Sequence, residues 1–95
     1  MSDFFIGWTY GIDEARKEEL AQKEWCGDVY VVSNGVRYDV EFISIDRLAL
    51  DAGTAIRDIG YYATGKDTFV IDNFSYDEII RVLEGLGVKG YFDGK

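Results

Sequence analysis

Two runs of alternating hydrophobic and polar residues in the middle of the chain predict a β-hairpin. The runs cover residues 29–33 and 36–43, and Asn34-Gly35 separates them. An Asn-Gly pair supplies the two positive-φ residues that a type I′ turn requires, so the turn also fixes the register. The pairs that this register predicts are Ser33–Val36, Val31–Tyr38 and Val29–Val40. One hairpin face is then mainly apolar, and the other carries Tyr30, Arg37, Asp39 and Glu41.

The remaining hydrophobic positions predict further strands and helices. Aromatic and β-branched residues favour strands over residues 3–10 and 68–71. Apolar residues recur every three or four positions over residues 12–25 and 46–62, which is the spacing of a helix with one buried side.

A third helix is predicted to begin at Ser75. Ser75 as N-cap and Glu78 three residues later match the capping box, and loss of the Ser75 hydroxyl should cost about 1 kcal/mol. Gly85 or Gly87 can end this helix. Residues 88–92 can then add a short last strand.

This order of elements predicts a single α+β domain over residues 1–95 with a ferredoxin-like fold. The first six elements follow the β-α-β-β-α-β order of ferredoxin-like domains, and the helix from Ser75 is additional. That topology predicts an antiparallel sheet in the strand order 4-1-3-2, with the first two helices on the apolar hairpin face. The opposite face is expected to be open or partly covered by the third helix. A different mixed α+β sheet is the alternative.

The amino-acid composition excludes most kinds of catalytic site, because the side chains that they use are missing. The chain has no histidine and a single cysteine, Cys26, which we expect to be a small buried side chain and not a nucleophile. Ferredoxin-like enzymes that hydrolyse acyl phosphates hold phosphate with an arginine in the loop after the first strand. This chain resembles them in element order, but its loop reads Tyr-Gly-Ile-Asp over residues 10–13. The sequence also lacks a glycine-rich phosphate loop, so we expect no enzyme activity.

The charge balance argues against nucleic acid and membrane partners. Eighteen acidic and ten basic residues give a formal net charge of −8, which repels phosphates. Asp28, Asp39 and Glu41 could offer oxygens to Mg²⁺ or Ca²⁺, but no calcium-loop spacing is present, so we expect a solvated strand face, no metal and no cofactor. No secretory signal and no apolar run of about 20 residues occurs. A cytoplasmic protein is therefore expected.

Acidic residues together with seven tyrosines and two tryptophans predict a surface that binds another protein. The complementary partner is a protein with a basic, Arg/Lys-rich surface, such as a nuclease or a nucleoprotein complex. Phage inhibitors of CRISPR or restriction complexes resemble this chain in size and charge, as do immunity proteins that neutralise nuclease toxins. A non-catalytic interaction or structural module is the alternative, and a homodimer through the hairpin edge or the open sheet is also compatible with the pattern. The candidate contact residues are Tyr30, Asp39, Glu41, Asp46, Asp51, Asp58, Tyr61, Asp72, Tyr76, Asp77 and Glu78.

Overall fold

The computed structural model describes residues 4–63 and 67–92, and in these two ranges the chain forms four strands and three helices. In chain order they are β1 (Phe4–Trp8), α1 (Glu14–Lys23), β2 (Trp25–Ser33), β3 (Val36–Ser44), α2 (Ile45–Ile59), β4 (Thr68–Ile71) and α3 (Tyr76–Val88). The predicted α+β class and element order are therefore confirmed. Residues 9 and 10 of the predicted strand over 3–10 are not part of β1, and residue 3 lies outside the described ranges. The helix predicted over 46–62 begins one residue earlier and ends at Ile59, and Trp25 of the helix predicted over 12–25 instead begins β2.

The hairpin between β2 and β3 has the predicted register. Ser33 pairs with Val36, and Val29 pairs with Val40. The turn residues Asn34 and Gly35 have φ values of 54° and 82°, as a turn with two left-handed residues requires. A bulge between Cys26 and Val29, which the alternating pattern did not predict, interrupts the pairing. It places one extra residue on β2 and bends that strand.

The sheet is mixed and its strands lie in the order β1-β2-β3-β4. The β1–β2 and β2–β3 pairs are antiparallel, whereas β4 pairs in parallel with β3, from Glu41–Thr68 to Ser44–Ile71. The predicted antiparallel sheet in the order 4-1-3-2 is therefore wrong. The difference begins at β1, which pairs with β2 and not with β3. The outer edge of β3 is therefore free, and β4 pairs there after the crossover through α2.

The core lies between the sheet and the helices α1 and α3. Leu20 of α1 and Ile79 and Leu83 of α3 are buried against the apolar hairpin face. No α2 side chain belongs to this core or to the partly buried residues around it. The prediction that the first two helices share one face is therefore wrong. The parallel connection takes α2 to β3 and β4, and α3 occupies the place beside α1.

The segment after α3 closes the core without forming the predicted last strand. The N–H of Tyr91 donates to the carbonyl of Leu86 at 2.9 Å, so the chain turns back on the helix end. This turn inserts Phe92, which is 2% exposed, against the ring of Phe4 at a centroid distance of 6.2 Å. Residues 88–92 thus end α3 and bring Phe92 into the core. Burial of the Phe92 side chain, and not a strand, accounts for the apolar residues in this segment.

Candidate protein-binding surface

The predicted contact residues lie in three separate places. Tyr30, Asp39 and Glu41 are on the sheet face opposite the core. Asp46, Asp51 and Asp58 are on α2, and Tyr61 follows it. Asp72, Tyr76, Asp77 and Glu78 surround the start of α3. One surface therefore cannot use all of them.

On the open sheet face, the predicted residues are engaged within the protein. The guanidinium of Arg37 lies 3.9 Å from the ring centroid of Tyr30. The same side chain donates from Nε to Asp39 Oδ1 at 3.0 Å and from a terminal nitrogen to Thr9 Oγ1 at 3.2 Å. Glu41 accepts from the Thr68 hydroxyl at 3.1 Å. Both predicted carboxylates of this face, Asp39 and Glu41, are thus already hydrogen-bonded within the protein.

The predicted acidic residues of α2 do not form a cluster. Asp51 is paired with Arg47 at 3.4 Å, one turn earlier in the helix. Asp46 and Asp58 are exposed near opposite ends of the helix. These carboxylates are separated along the axis, so they do not produce a concentrated negative potential.

The start of α3 and the adjoining side of α1 together form what we call the α1/α3 acidic surface. Two shallow depressions of about 360 and 430 Å³ share the lining residues Ser75 and Asp77 and are therefore continuous. The acidic residues that line them are Glu14, Glu18, Asp72, Asp77 and Glu78. The only basic residues in the lining are Lys17 and Arg81. The surface is therefore strongly acidic.

Tyr76 lines the depression beside α1, together with Glu14, Glu18 and Asp77. Its ring stacks on Trp8 with a centroid distance of 5.6 Å and an interplanar angle of 27°. Lys17 Nζ lies 4.3 Å from the Tyr76 ring centroid and 3.3 Å from Glu14 Oε1. An aromatic ring fixed in this way loses little conformational freedom when a partner docks on it.

The first turn of α3 orders the neighbouring carboxylates. Ser75 Oγ accepts from the Glu78 N–H at 3.2 Å, which confirms the predicted N-cap. The hydrogen bond from Arg81 to the Glu78 carboxylate lowers the pKa of Glu78. Asp72 and Asp77 are exposed, and no basic group lies within 4 Å of either within residues 4–63 and 67–92. Their charge therefore faces solvent uncompensated.

Sequence reasoning found the α3 part of this surface and missed the α1 part. Asp77 and Glu78 follow directly from the helix start that the sequence marks. Glu14 and Glu18 approach Tyr76 only because α1 and α3 pack side by side, which is a long-range contact. No local signal in residues 12–25 indicates this neighbour.

A second concavity, of about 400 Å³, lies between α1 and the bulge of β2. Tyr10 and Trp25 line it, and the indole of Trp25 occupies the space where a Cβ on Gly27 would come within 2.6 Å. One terminal nitrogen of Arg16 is 2.5 Å from Asp28 Oδ2, and this ion pair forms part of the wall. The groove therefore combines exposed aromatic area with an internal ion pair. The alternating pattern did not predict this groove, because it placed the start of the strand at residue 29, after the bulge.

Cys26 forms part of this groove as a protonated thiol. It is 2% exposed, and its Sγ donates to Asp28 Oδ1 at 3.2 Å. Burial raises the pKa of Cys26 to about 12. Because the thiolate is the reactive form, this group is no nucleophile at neutral pH, and the prediction of a buried side chain is confirmed. Within the described ranges no three Cys, Asp or Glu side chains are placed to hold a metal ion.

Comparison with protein-family models, curated proteins and solved structures found no match for this chain. No helix in residues 4–63 and 67–92 is long and apolar enough to cross a membrane. The functional argument therefore depends on the geometry and charge of the surfaces described above.

Proposed function

We propose that this protein binds a basic surface of a partner protein and blocks it. The partner would be a nucleic-acid-binding enzyme or complex, and the protein would act as a non-catalytic inhibitor of the kind that phages use against CRISPR or restriction complexes. The observation that carries the proposal is the α1/α3 acidic surface, where five carboxylates line two continuous depressions and a fixed tyrosine, Tyr76, lines one of them.

Electrostatics and packing support this proposal in different ways. The uncompensated charges of Asp72 and Asp77 attract a cationic surface and accelerate encounter, while like-charged molecules are repelled. Tyr76 offers an apolar ring with a polar tip, which is the type of side chain that contributes most to interface affinity. Because Trp8 and Lys17 already hold the ring, docking costs little side-chain entropy.

Two alternatives use the same molecule differently. An immunity protein that neutralises a nuclease toxin would use the α1/α3 acidic surface, and only the identity of its target would differ. A non-catalytic interaction module is favoured by the groove beside α1, because Tyr10 and Trp25 could hold an apolar side chain of a partner. Binding through that groove would respond weakly to salt, whereas binding through the acidic surface would respond strongly.

The experiment compares two variants that have the same net charge. Asp72→Asn with Asp77→Asn neutralises the acidic surface, and Asp58→Asn with Glu84→Gln neutralises two exposed carboxylates elsewhere. Each protein is immobilised and exposed to a lysate of the native host at low and moderate salt. We expect a basic protein to be retained by the wild type and the control variant and lost from the acidic-surface variant. Added wild-type protein should then inhibit the nuclease or nucleic-acid binding activity of the purified captured protein.

Three results would overturn the proposal. Equal retention of every protein by both variants would remove the role of the acidic surface. Retention that is insensitive to salt would favour the aromatic groove. Tight binding of the purified protein to oligonucleotides would contradict the expected repulsion of phosphates.

A further inference from the structure

The helix α2 carries a hydrophobic stripe that its own chain leaves exposed. Ile45, Ile56 and Ile59 are 55%, 54% and 62% exposed, and Ala49 lies between them on the same side. The stripe positions, 45, 49, 52, 56 and 59, alternate between steps of four and three residues. This is the spacing of a seam between two packed helices. No side chain of the stripe belongs to the core or to the residues packed around it.

The other apolar side of α2 is already occupied. Leu48 and Ala55 are half-buried, and the backbone contacts of the helix are mainly with β3 and β4. These residues therefore attach α2 to the sheet. The stripe of Ile45, Ile56 and Ile59 lies beside this attachment and faces solvent.

Two charges border the stripe without partners of their own. Asp46 follows Ile45 and Arg57 follows Ile56, so both lie on the same side of the stripe and about 16 Å apart along the axis. Among the described residues no opposite charge lies within 4 Å of either group. The other arginines of this chain, at positions 16, 37, 47 and 81, each have a carboxylate partner. Within the part of the chain that the structure describes, Arg57 alone among the arginines has no carboxylate within 4 Å.

We propose that α2 packs antiparallel against α2 of a second copy of this chain. A two-fold axis near the middle of the helix places Ile45 against Ile59 of the other copy. The same axis places Asp46 beside Arg57 of the other copy, and symmetry repeats that ion pair. In a parallel pair the two-fold axis runs along the helices and puts Asp46 and Arg57 of the two copies on opposite sides of the seam, so neither ion pair forms.

Small side chains permit the close approach that this pairing needs. Gly53 lies on the side of Asp46 and Arg57, and the space around its Cβ position is open within 4 Å. Ala49 also lies on this side of the seam. A single helix pair is a small interface, so we expect a dimer that forms in the micromolar concentration range. The stripe shares no residue with the α1/α3 acidic surface, so each proposal can fail without the other.

The first test measures mass by sedimentation velocity from low micromolar to millimolar protein. The wild type should pass from monomer to dimer, and Ile56→Glu should raise the dissociation constant roughly tenfold or more. Val88→Glu is the control, since Val88 is 89% exposed on α3 and the variant changes charge equally. A wild type that stays monomeric throughout, or equal weakening by both variants, would overturn the proposal.

The second test exchanges the charges and separates pairing from helix stability. Asp46→Arg and Arg57→Asp should each weaken the dimer, and the double variant should restore it because both ion pairs re-form with reversed polarity. The helix dipole has a different effect on the stability of α2 itself. The double variant has a positive charge in the first turn and a negative charge in the last, so its helix should be less stable than that of either single variant. Urea unfolding of each variant at low concentration reports that second effect. A double variant that dimerises more weakly than both single variants would overturn antiparallel pairing.

Discussion

The ring of Tyr30 lies against Gly7 of the neighbouring strand, where a Cβ on Gly7 would come within 2.3 Å of Tyr30 Cζ. The two residues are direct partners in the β1–β2 register. Arg37 then lies over the same ring and connects it to Asp39. Tyr30, which the sequence suggested as a contact residue, thus serves to attach β1 to the hairpin.

Gly7→Ala should destabilise the protein by about 1–3 kcal/mol, because the added methyl group must displace the Tyr30 ring. Urea denaturation gives the free energy of unfolding of both proteins. The variant should also lose the contact between Tyr30 and Arg37. An unchanged midpoint would mean that the ring can leave Gly7 without cost.

Gly53→Ala is the matched substitution, and we expect it to raise the free energy of unfolding, whereas Gly7→Ala lowers it. Gly53 is inside α2, and apart from its chain neighbours and the backbone of its own helix no heavy atom of the described residues lies within 4 Å of its Cβ position. Alanine should therefore stabilise the helix by roughly 0.5–1 kcal/mol. The measurement is urea denaturation at a concentration where the protein is monomeric. Destabilisation would show that a contact to Gly53 exists in the monomer.

The thiol of Cys26 should make the stability fall at alkaline pH. Its pKa in the folded protein is raised to about 12, above the value of about 8.5 for a free cysteine. Between these values the unfolded chain releases the proton and the folded chain keeps it, so the free energy of unfolding decreases as the pH rises. The thiol contributes at most about 1.4 kcal/mol per pH unit. Cys26→Ala should lack this part of the slope, which the difference between two urea-denaturation series isolates.

The same burial should protect the thiol from reagents. At pH 8 we expect an aromatic disulfide to react with Cys26 only as fast as the protein opens. Asp28→Asn should accelerate this reaction, because loss of the Arg16–Asp28 ion pair and of the hydrogen bond from the thiol makes this part of the protein open more often. Fast labelling of the native wild type would contradict the buried geometry.

Ser75→Ala should cost about 1 kcal/mol, because the N–H of Glu78 loses its acceptor. Ser75→Gly should cost only a few tenths, since glycine suits an N-cap position and leaves the end accessible to water. Thermal unfolding of the two variants shows which of them is less stable. Equal losses would mean that the hydroxyl acts through a contact other than the cap.

Local chemistry explains which parts of the fold were predictable from the sequence. The pairing of Ser33 with Val36 depends on the adjacent Asn-Gly turn, and the start of α3 depends on Ser75. The partner of β4 depends on no local signal, because either edge of the hairpin sheet offers free backbone groups. Because β1 occupies the edge of β2, β4 takes the edge of β3, where Thr68 pairs with Glu41.

The same distinction applies to the surfaces. Asp77 and Glu78 could be named because they belong to the first turn of a clearly marked helix. That Glu18 joins them, and that Arg37 covers Tyr30, follows from packing between elements that are distant in the chain. Amphipathicity indicated that α2 buries a stripe, but it did not tell which apolar residues meet the sheet and which, such as Ile56, stay exposed.

Because α2 contributes no buried side chain, its melting would leave the core between the sheet, α1 and α3 intact. Its amides should therefore exchange with deuterium through local opening, well before those of α3, where Leu83 is fully buried. Association through the exposed stripe would slow that exchange by mass action. The fraction of molecules in which α2 is folded would then increase with the concentration of the protein.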